Sequence, residues 1–190
     1  VNVLSGATGT SLYSVEGHFD GERLGQTLEA VGDFDGDGLG DLGIGGPGQF
    51  GYAMIVSGAN GTTLWGTTGD YLSGFGSALA ALGDVNGDGT IELAISELGS
   101  GRVEVRSIPD DTLVWANGGE VDAEHGAALL TLGDVDGDGV NDLAIGSPRA
   151  IDHSGPSPLE SGRVRVVSGV DGHVISERFG GATGDRYGAS

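Results

Sequence analysis

The stretch Gly32-Asp33-Phe34-Asp35-Gly36-Asp37-Gly38 carries acidic side chains at alternate positions between glycines. Two later stretches match it position by position: Gly83-Asp84-Val85-Asn86-Gly87-Asp88-Gly89 and Gly133-Asp134-Val135-Asp136-Gly137-Asp138-Gly139. Their first aspartates lie about 50 residues apart, a period typical of stacked or radially repeated units. The 190 residues are therefore predicted to be an array of one structural unit.

Each acidic stretch lies among patterns typical of β-strands. A run of small and aliphatic residues precedes it, and we expect this innermost strand to be crowded and buried on both faces. A second apolar run follows it, then a third strand, a tight Asn-Gly or Asp-Gly turn in two of the copies and a fourth strand. The predicted innermost strands are 26–31, 77–82 and 127–132.

Units of four antiparallel strands predict an all-β fold made of β-propeller blades, about three and a half of them in this chain. We expect residues 1–24 to hold the last two strands of a blade and 188–190 to begin another. The blades between them are 25–75, 76–125 and 126–187. The third contains an insertion rich in proline and serine, 149–160, which we expect on an exposed face where ligands bind.

The acidic stretches are predicted to be three Ca²⁺ sites, because Ca²⁺ needs about six to eight hard oxygen ligands and a tight turn can wrap them around one ion. Each site uses side chains at alternate positions, one backbone carbonyl and a closing acid. The first set is Asp33, Asp35, Asp37, the Leu39 carbonyl and Asp41; the second is Asp84, Asn86, Asp88, the Thr90 carbonyl and Glu92; the third is Asp134, Asp136, Asp138, the Val140 carbonyl and Asp142.

An EF-hand is the obvious alternative for such a loop. Its twelfth position should be a bidentate glutamate, with a helix on either side. Here the twelfth positions are apolar and lie in strand-like runs: Ile44, Ile95 and Ile145. The second site has Asn86 in place of an aspartate, so we expect it to bind calcium most weakly.

Composition excludes several classes of function. There are 28 acidic residues against 8 basic ones, a net charge of -20, which argues against nucleic-acid binding,. No apolar run is long enough to span a bilayer. With the calcium ligands set aside, the sequence offers no catalytic constellation, so a non-enzyme is predicted. Trp65 and Trp115 occupy equivalent strands and are expected to pack between blades, and His125 is expected to be structural.

Laid out this way, the chain resembles the FG-GAP repeats of integrin alpha-chain β-propellers and their bacterial relatives. The Phe-Gly element is Phe75-Gly76, with the variants Leu24-Gly25, His125-Gly126 and Tyr187-Gly188. The Gly-Ala-Pro element is represented by Gly45-Gly46-Pro47 and Gly146-Ser147-Pro148, whereas the middle copy reads Ser96-Glu97-Leu98. The resemblance implies a propeller, typically of seven blades, whose calcium loops join the first two strands of each blade on one face.

The expected function is a calcium-binding, non-catalytic binding or scaffold module of a secreted or cell-surface protein, for protein or glycan recognition or adhesion. The alternatives are a part of a polysaccharide-acting enzyme and a pure structural spacer. Residues Val1 to Gly6 lack the features of a signal peptide, which we expect to lie outside these residues,. Expected partners are a protein or glycan ligand, with no nucleic acid and no membrane insertion; self-assembly that completes a propeller ring is a further option.

Overall fold

The glycine-rich repeats form antiparallel sheets joined by short turns. The computed structural model describes residues 1–18 and 20–189, so Ser190, part of the predicted start of a further blade, lies outside the described residues. The chain begins with a two-stranded ribbon of β1 (Asn2–Leu4) and β2 (Ser11–Ser14), here the half-blade. Three four-stranded sheets follow, here blades 1, 2 and 3.

Every blade has its four strands in spatial order, each paired with the next. Blade 1 consists of β3 (Thr27–Gly32), β4 (Asp41–Gly46), β5 (Tyr52–Val56) and β6 (Thr63–Thr68). Blade 2 consists of β7 (Phe75–Gly83), β8 (Ile91–Glu97), β9 (Arg102–Ile108) and β10 (Thr112–Gly118). Blade 3 consists of β11 (Ala128–Thr131), β12 (Leu143–Ser147), β15 (Arg163–Val167) and β16 (Val174–Phe179).

Two small elements lie outside the blades. A 3₁₀ turn, Val121–Ala123, connects blade 2 to blade 3. The insertion in blade 3 folds into a hairpin of its own, β13 (Ile151–Asp152) paired with β14 (Leu159–Glu160). Together these elements confirm the predicted all-β fold of four-stranded antiparallel blades. In the part of the chain that the structure describes, no helix has the length and apolar character that crossing a bilayer requires.

The innermost strands β3, β7 and β11 lie side by side and run in the same direction. The Thr27 hydroxyl donates to the carbonyl of Ser77 at 2.7 Å, and the Thr131 hydroxyl donates to that of Ala81 at 2.8 Å. Successive units are thus in register, and the acidic stretch that follows each innermost strand emerges at one end of the array. We call this the loop end, and the opposite end, where β4 and β12 finish, the far end.

The hydrophobic core lies between the blades rather than within one of them. Side chains of the half-blade pack on blade 1, those of blade 1 on blade 2, and those of blade 2 on blade 3. Trp65 and Trp115 are buried in the second and third of these interfaces, as predicted. Tyr13 on β2 has the corresponding place in the first, packed against Val15 and Ile44.

The prediction that all innermost strands are buried on both faces is wrong for two of them. Strand β7 is buried along most of its length, whereas Leu28 on β3 and Leu130 on β11 are 53% and 62% exposed. The reason is position, because β7 lies between two other innermost strands and contacts both. Small and aliphatic composition is common to all three strands and does not distinguish the enclosed one.

Candidate metal centres

The three acidic loops each join the first strand of a blade to the second, at the loop end. The first aspartate of each loop organises the backbone around itself. Asp33 accepts a hydrogen bond from the N–H of Gly36 and another from that of Gly38, each at 2.9 Å. These two glycines have φ of +77° and +89°, a region that L side chains rarely adopt,. Asp84 and Asp134 accept the equivalent pairs of bonds in their own loops.

Alternate carboxylates of two loops converge on one point. In blade 1, Asp33, Asp35 and Asp37 each offer an oxygen, and the three oxygens lie within 4.8 Å of one another. In blade 3, Asp134, Asp136 and Asp138 form the same arrangement. All six residues are exposed, and like charges this close repel one another unless a cation lies between them,. Hard oxygens in this number fit calcium better than a transition metal.

The closing acids are the buried part of each loop. Asp41 is 3% exposed, and Glu92 and Asp142 are fully enclosed. Each accepts a backbone hydrogen bond of 2.7 Å from the second residue of its own loop, donated by Phe34, Val85 and Val135 respectively. A buried carboxylate needs such donors to offset its lost hydration. The closing acids therefore fasten the loop to the sheet.

Two closing acids also reach the end of the third strand. The N–H of Gly58 donates to Asp41 at 2.8 Å, and that of Gly169 donates to Asp142 at 3.2 Å. Further oxygens are needed to complete each calcium shell. Those of the closing acids and of the backbone carbonyls of Leu39, Thr90 and Val140 stay predictions. What the structure adds is that each closing acid holds its loop through backbone donors.

The middle loop differs from its neighbours in the way its acids are held together. The amide of Asn86 donates to Asp88 at 2.9 Å and to Glu92 at 3.0 Å. Hydrogen bonds from the Thr90 hydroxyl and then from Asn86 lower the pKa of Asp88 from 3.8 to about 2. A neutral amide thus bridges two carboxylates where the other loops bring three carboxylates together.

The sequence reasoning assigned no role to a serine at the end of the third strand of each blade. Ser107 donates to Asp88 at 3.1 Å, and Ser168 donates to Asp138 at 3.5 Å. The signal was present in the sequence, because Ser57, Ser107 and Ser168 recur at the same place in their repeats. These hydroxyls orient the third acid of the loop in blades 2 and 3.

A histidine lies at the rim of the third loop. His173 Nδ1 is 2.7 Å from Asp171, and its Nε2 is 4.0 Å from Asp136. The hydrogen bond to Asp171 raises the pKa of His173, and the charges of Asp136 and Asp138 raise it further. The carboxylate cluster of blade 3 therefore favours the protonated form of His173.

Comparisons with known proteins show similarity to one repeat family. A family model described as FG-GAP repeat matches residues 125–167. Integrin alpha-PS2 of Drosophila melanogaster is 36% identical over 103 residues, an alignment that covers 45% of this chain and 7% of the integrin.

Two solved structures are similar in fold at 15% sequence identity. BamB from Moraxella catarrhalis has a TM-score of 0.54, and the similarity covers 90% of this chain and 40% of BamB. The computationally designed Ika8 protein has a TM-score of 0.56, with coverage of 96% and 44%. The chain thus spans less than half the length of each of these relatives.

Proposed function

We propose that this chain, which is similar to FG-GAP repeats and to an integrin alpha chain, is a member of that repeat family and a calcium-stabilised, non-catalytic β-propeller module for binding or scaffolding. The observation that carries the proposal is the convergence of three carboxylates in each of two loops at the same end of the array. Such clusters are costly without a cation, and they recur in register with the blades.

Three Ca²⁺ ions are proposed, one for each loop. The first loop would hold its ion with Asp33, Asp35, Asp37 and Asp41, the third with Asp134, Asp136, Asp138 and Asp142, and the second with Asp84, Asn86, Asp88 and Glu92. The ion supplies the positive charge that the clustered oxygens lack. Because each loop joins the first two strands of a blade, bound calcium would stiffen that connection.

A non-catalytic role is favoured by the surroundings of one pair of residues. His125 Nδ1 lies 2.9 Å from Ser147 Oγ, a distance compatible with a base and a nucleophile,. Both residues are fully buried, and burial, followed by the charges of Arg165 and Arg163, lowers the pKa of His125 to about 4. A substrate has no access to such a pair, which supports a packing role in the Phe-Gly element.

The proposed setting is extracellular or at a cell surface, as the similarity to an integrin alpha chain suggests. Extracellular calcium is millimolar, enough to fill even sites of modest affinity. The proposed partner is a protein or a glycan, because a net charge of -20 disfavours nucleic acid,. Membership of a polysaccharide-acting enzyme, a spacer role and self-assembly into a ring are the alternatives.

The proposal is tested by melting the protein in EDTA and in millimolar CaCl₂. We expect calcium to raise the melting temperature, with about 2.7 kcal/mol of stabilisation for each site when calcium is a hundredfold above its dissociation constant. Titration calorimetry should count three ions. Equal melting temperatures in the two buffers would refute calcium stabilisation, and turnover of any polysaccharide would refute the non-catalytic role.

A further inference from the structure

A cavity of about 370 Å³ opens at the far end of blade 1, away from the acidic loops. Its wall includes Asp20, Glu22, Gln49, Phe50, Tyr52 and Thr68. Strand β4 begins at the loop end and finishes beside this cavity, so its six residues separate the two regions by about 20 Å,. The volume lies in the range of about 300–1,000 Å³ typical of small-molecule sites.

Three connections that meet at the cavity are tied together by backbone hydrogen bonds. The N–H of Gly48 donates to the carbonyl of Glu22 at 3.1 Å, and the N–H of Leu72 donates to that of Gln49 at 2.7 Å. The segment before β3, the β4–β5 turn and the β6–β7 turn are thus joined. A preformed wall lowers the entropic cost of binding a ligand.

An exposed aromatic pair lies at the cavity, where Phe50 belongs to the lining and Tyr71 packs against Phe50. Phe50 is 59% exposed and Tyr71 is 58% exposed, and their ring centroids are 5.5 Å apart at an angle of 62°. The Gln49 amide donates to the Tyr71 hydroxyl at 3.2 Å, which holds that ring in place. Packing within the fold does not explain why two large rings contact each other while both are exposed to solvent. Exposed apolar side chains gathered in one place mark binding sites.

The polar part of the wall is rich in hydrogen-bond acceptors. Asp20 supplies a carboxylate, and Gln49 and Thr68 supply neutral polar groups. The Glu22 carboxylate also lines the wall, but it already accepts a hydrogen bond from the N–H of His18 at 2.6 Å. The Glu22 charge lies close enough to Tyr52 to raise its pKa, after the larger effect of burial. Among the described residues that line the cavity there is no arginine, so its chemistry disfavours an anionic ligand.

We propose that this cavity is a binding site for one or two rings of a neutral saccharide, with Phe50 and Tyr71 as the stacking surface. A pyranose ring has an apolar C–H face that can lie on an aromatic ring, and hydroxyls at its edge that donate to carboxylates and amides. A protein partner would need about 800 Å² of contact on each side, far more than this cavity supplies. The inference rests on the proposed binding function and specifies its ligand.

The other far-end cavity, beside the insertion 149–160, has different chemistry. Arg149 lies 3.2 Å from Glu160 and 3.8 Å from Glu124, and Arg186 lies 3.6 Å from Glu124. Of the residues described by the structure, those that line it include no aromatic ring, and its charges already neutralise one another. The saccharide site is therefore assigned to blade 1 and not to the insertion.

The experiment uses the whole chain in saturating calcium on a printed array of neutral, acidic and amino-substituted oligosaccharides. The neutral oligosaccharide that binds most strongly is then titrated against variants by solution NMR. We expect Phe50→Ala and Tyr71→Ala to weaken its binding by about tenfold or more. Tyr187→Ala is the matched control, because Tyr187 is also exposed but lies beside Gly162 in blade 3; it should change the affinity by less than about twofold,.

Asp20→Asn distinguishes a saccharide from a cationic ligand. An amide still accepts a hydroxyl hydrogen bond, so saccharide binding should fall by about threefold or less, whereas binding of a lysine-rich peptide would fall steeply. The proposal is overturned if no neutral saccharide binds, if acidic glycans or the peptide bind in its place, or if the two aromatic variants bind as wild type does. Melting of each variant with and without calcium, measured separately, shows whether the proposed function itself still holds.

Discussion

The indole Nε1 of Trp115 donates a 2.7 Å hydrogen bond to the carbonyl of Gly169, which ties the outer strand of blade 2 to the turn that ends the third strand of blade 3. The same indole ring packs over Gly172, where an added Cβ would lie 2.6 Å from the ring. In the first interface, between the half-blade and blade 1, Tyr13 packs over Gly61 in the same manner. One aromatic side chain thus joins each of these blade pairs at the loop end.

Trp115→Phe is expected to destabilise the fold by about 1–2 kcal/mol, because it removes this buried hydrogen bond and part of the ring contact. Chemical denaturation with a linear extrapolation measures the change. Leu113→Ala on the same strand is the control: Leu113 is largely exposed, so the effect should stay within about 0.5 kcal/mol,. Equal stability of Trp115→Phe and wild type would mean that the aromatic contact does not hold the blades together.

Gly172→Ala should destabilise the protein through two separable effects, a backbone φ of +74° and the collision of the new Cβ with Trp115. Gly184→Ala isolates the first effect, because Gly184 has φ of +85° and open space around it. We expect about 1 kcal/mol for Gly184→Ala and at least about 1 kcal/mol more for Gly172→Ala. The free energies of unfolding of the two variants, measured side by side, give the difference; a difference near zero would contradict the packing.

Asp136→Asn should reduce the stabilisation by calcium and leave the calcium-free stability almost unchanged or slightly raised, because it removes charge repulsion from an exposed cluster,. Its Oδ1 can still accept the backbone hydrogen bond from Asp138. Melting in EDTA and in CaCl₂ measures both quantities.

Asp142→Ala is the contrasting variant for the same loop. It removes a buried acceptor of backbone N–H groups from Val135 and Gly169, so it should cost about 1–3 kcal/mol in EDTA,. In CaCl₂ the cost should be larger, because Asp142 is also a proposed calcium ligand. If Asp136→Asn lowered stability equally with and without calcium, the carboxylate cluster would not be an ion site.

His125 should make the fold sensitive to acid. In the folded protein burial lowers its pKa from 6.5 to about 4, whereas the unfolded chain protonates it near 6.5. Between these two pKa values the unfolded state binds more protons than the folded state. The stabilisation contributed by neutral His125 is therefore full above pH 6.5 and is lost as the pH falls towards 4. The loss amounts to about 3 kcal/mol.

His125→Phe isolates this contribution, since phenylalanine occupies the equivalent position at Phe75. The variant leaves Ser147 and Asn117 without their histidine partner, so its stability at neutral pH is also expected to fall. The measurement is therefore the slope of unfolding free energy against pH between 4 and 6.5. That slope should be shallower in the variant; identical slopes would contradict a buried neutral histidine.

The sequence predicted some features well because they are local. A glycine with positive φ and a carboxylate that binds backbone N–H groups three and five residues ahead, as in the loop of Asp33, depend only on nearby residues. Strand periodicity and the Asn60-Gly61 turn are local in the same sense. The burial of Trp65 and Trp115 could be predicted from the sequence repeat, since residues at the same position in successive blades have the same neighbours.

Other features depended on residues far apart in the chain. Leu28 and Leu130 are exposed, although their strands have the same small and aliphatic composition as the buried strand β7. Composition therefore could not predict their exposure. Phe50 and Tyr71 meet only because two turns of one blade lie side by side at the far end. The sequence directed attention to the insertion 149–160 instead, whose charged residues pair with Glu124 from a distant turn.

By itself, the sequence determined the repeat, the four-stranded blade and the acidic loops, because hydrophobic periodicity and turn chemistry act over a few residues. Only the tertiary structure decided which innermost strand is enclosed and where an aromatic cavity opens. Those properties arise when neighbouring blades exclude water from one face and leave another exposed. The acidic loop is thus specified by its own sequence, and its effect on the fold is specified by the two strands that it joins.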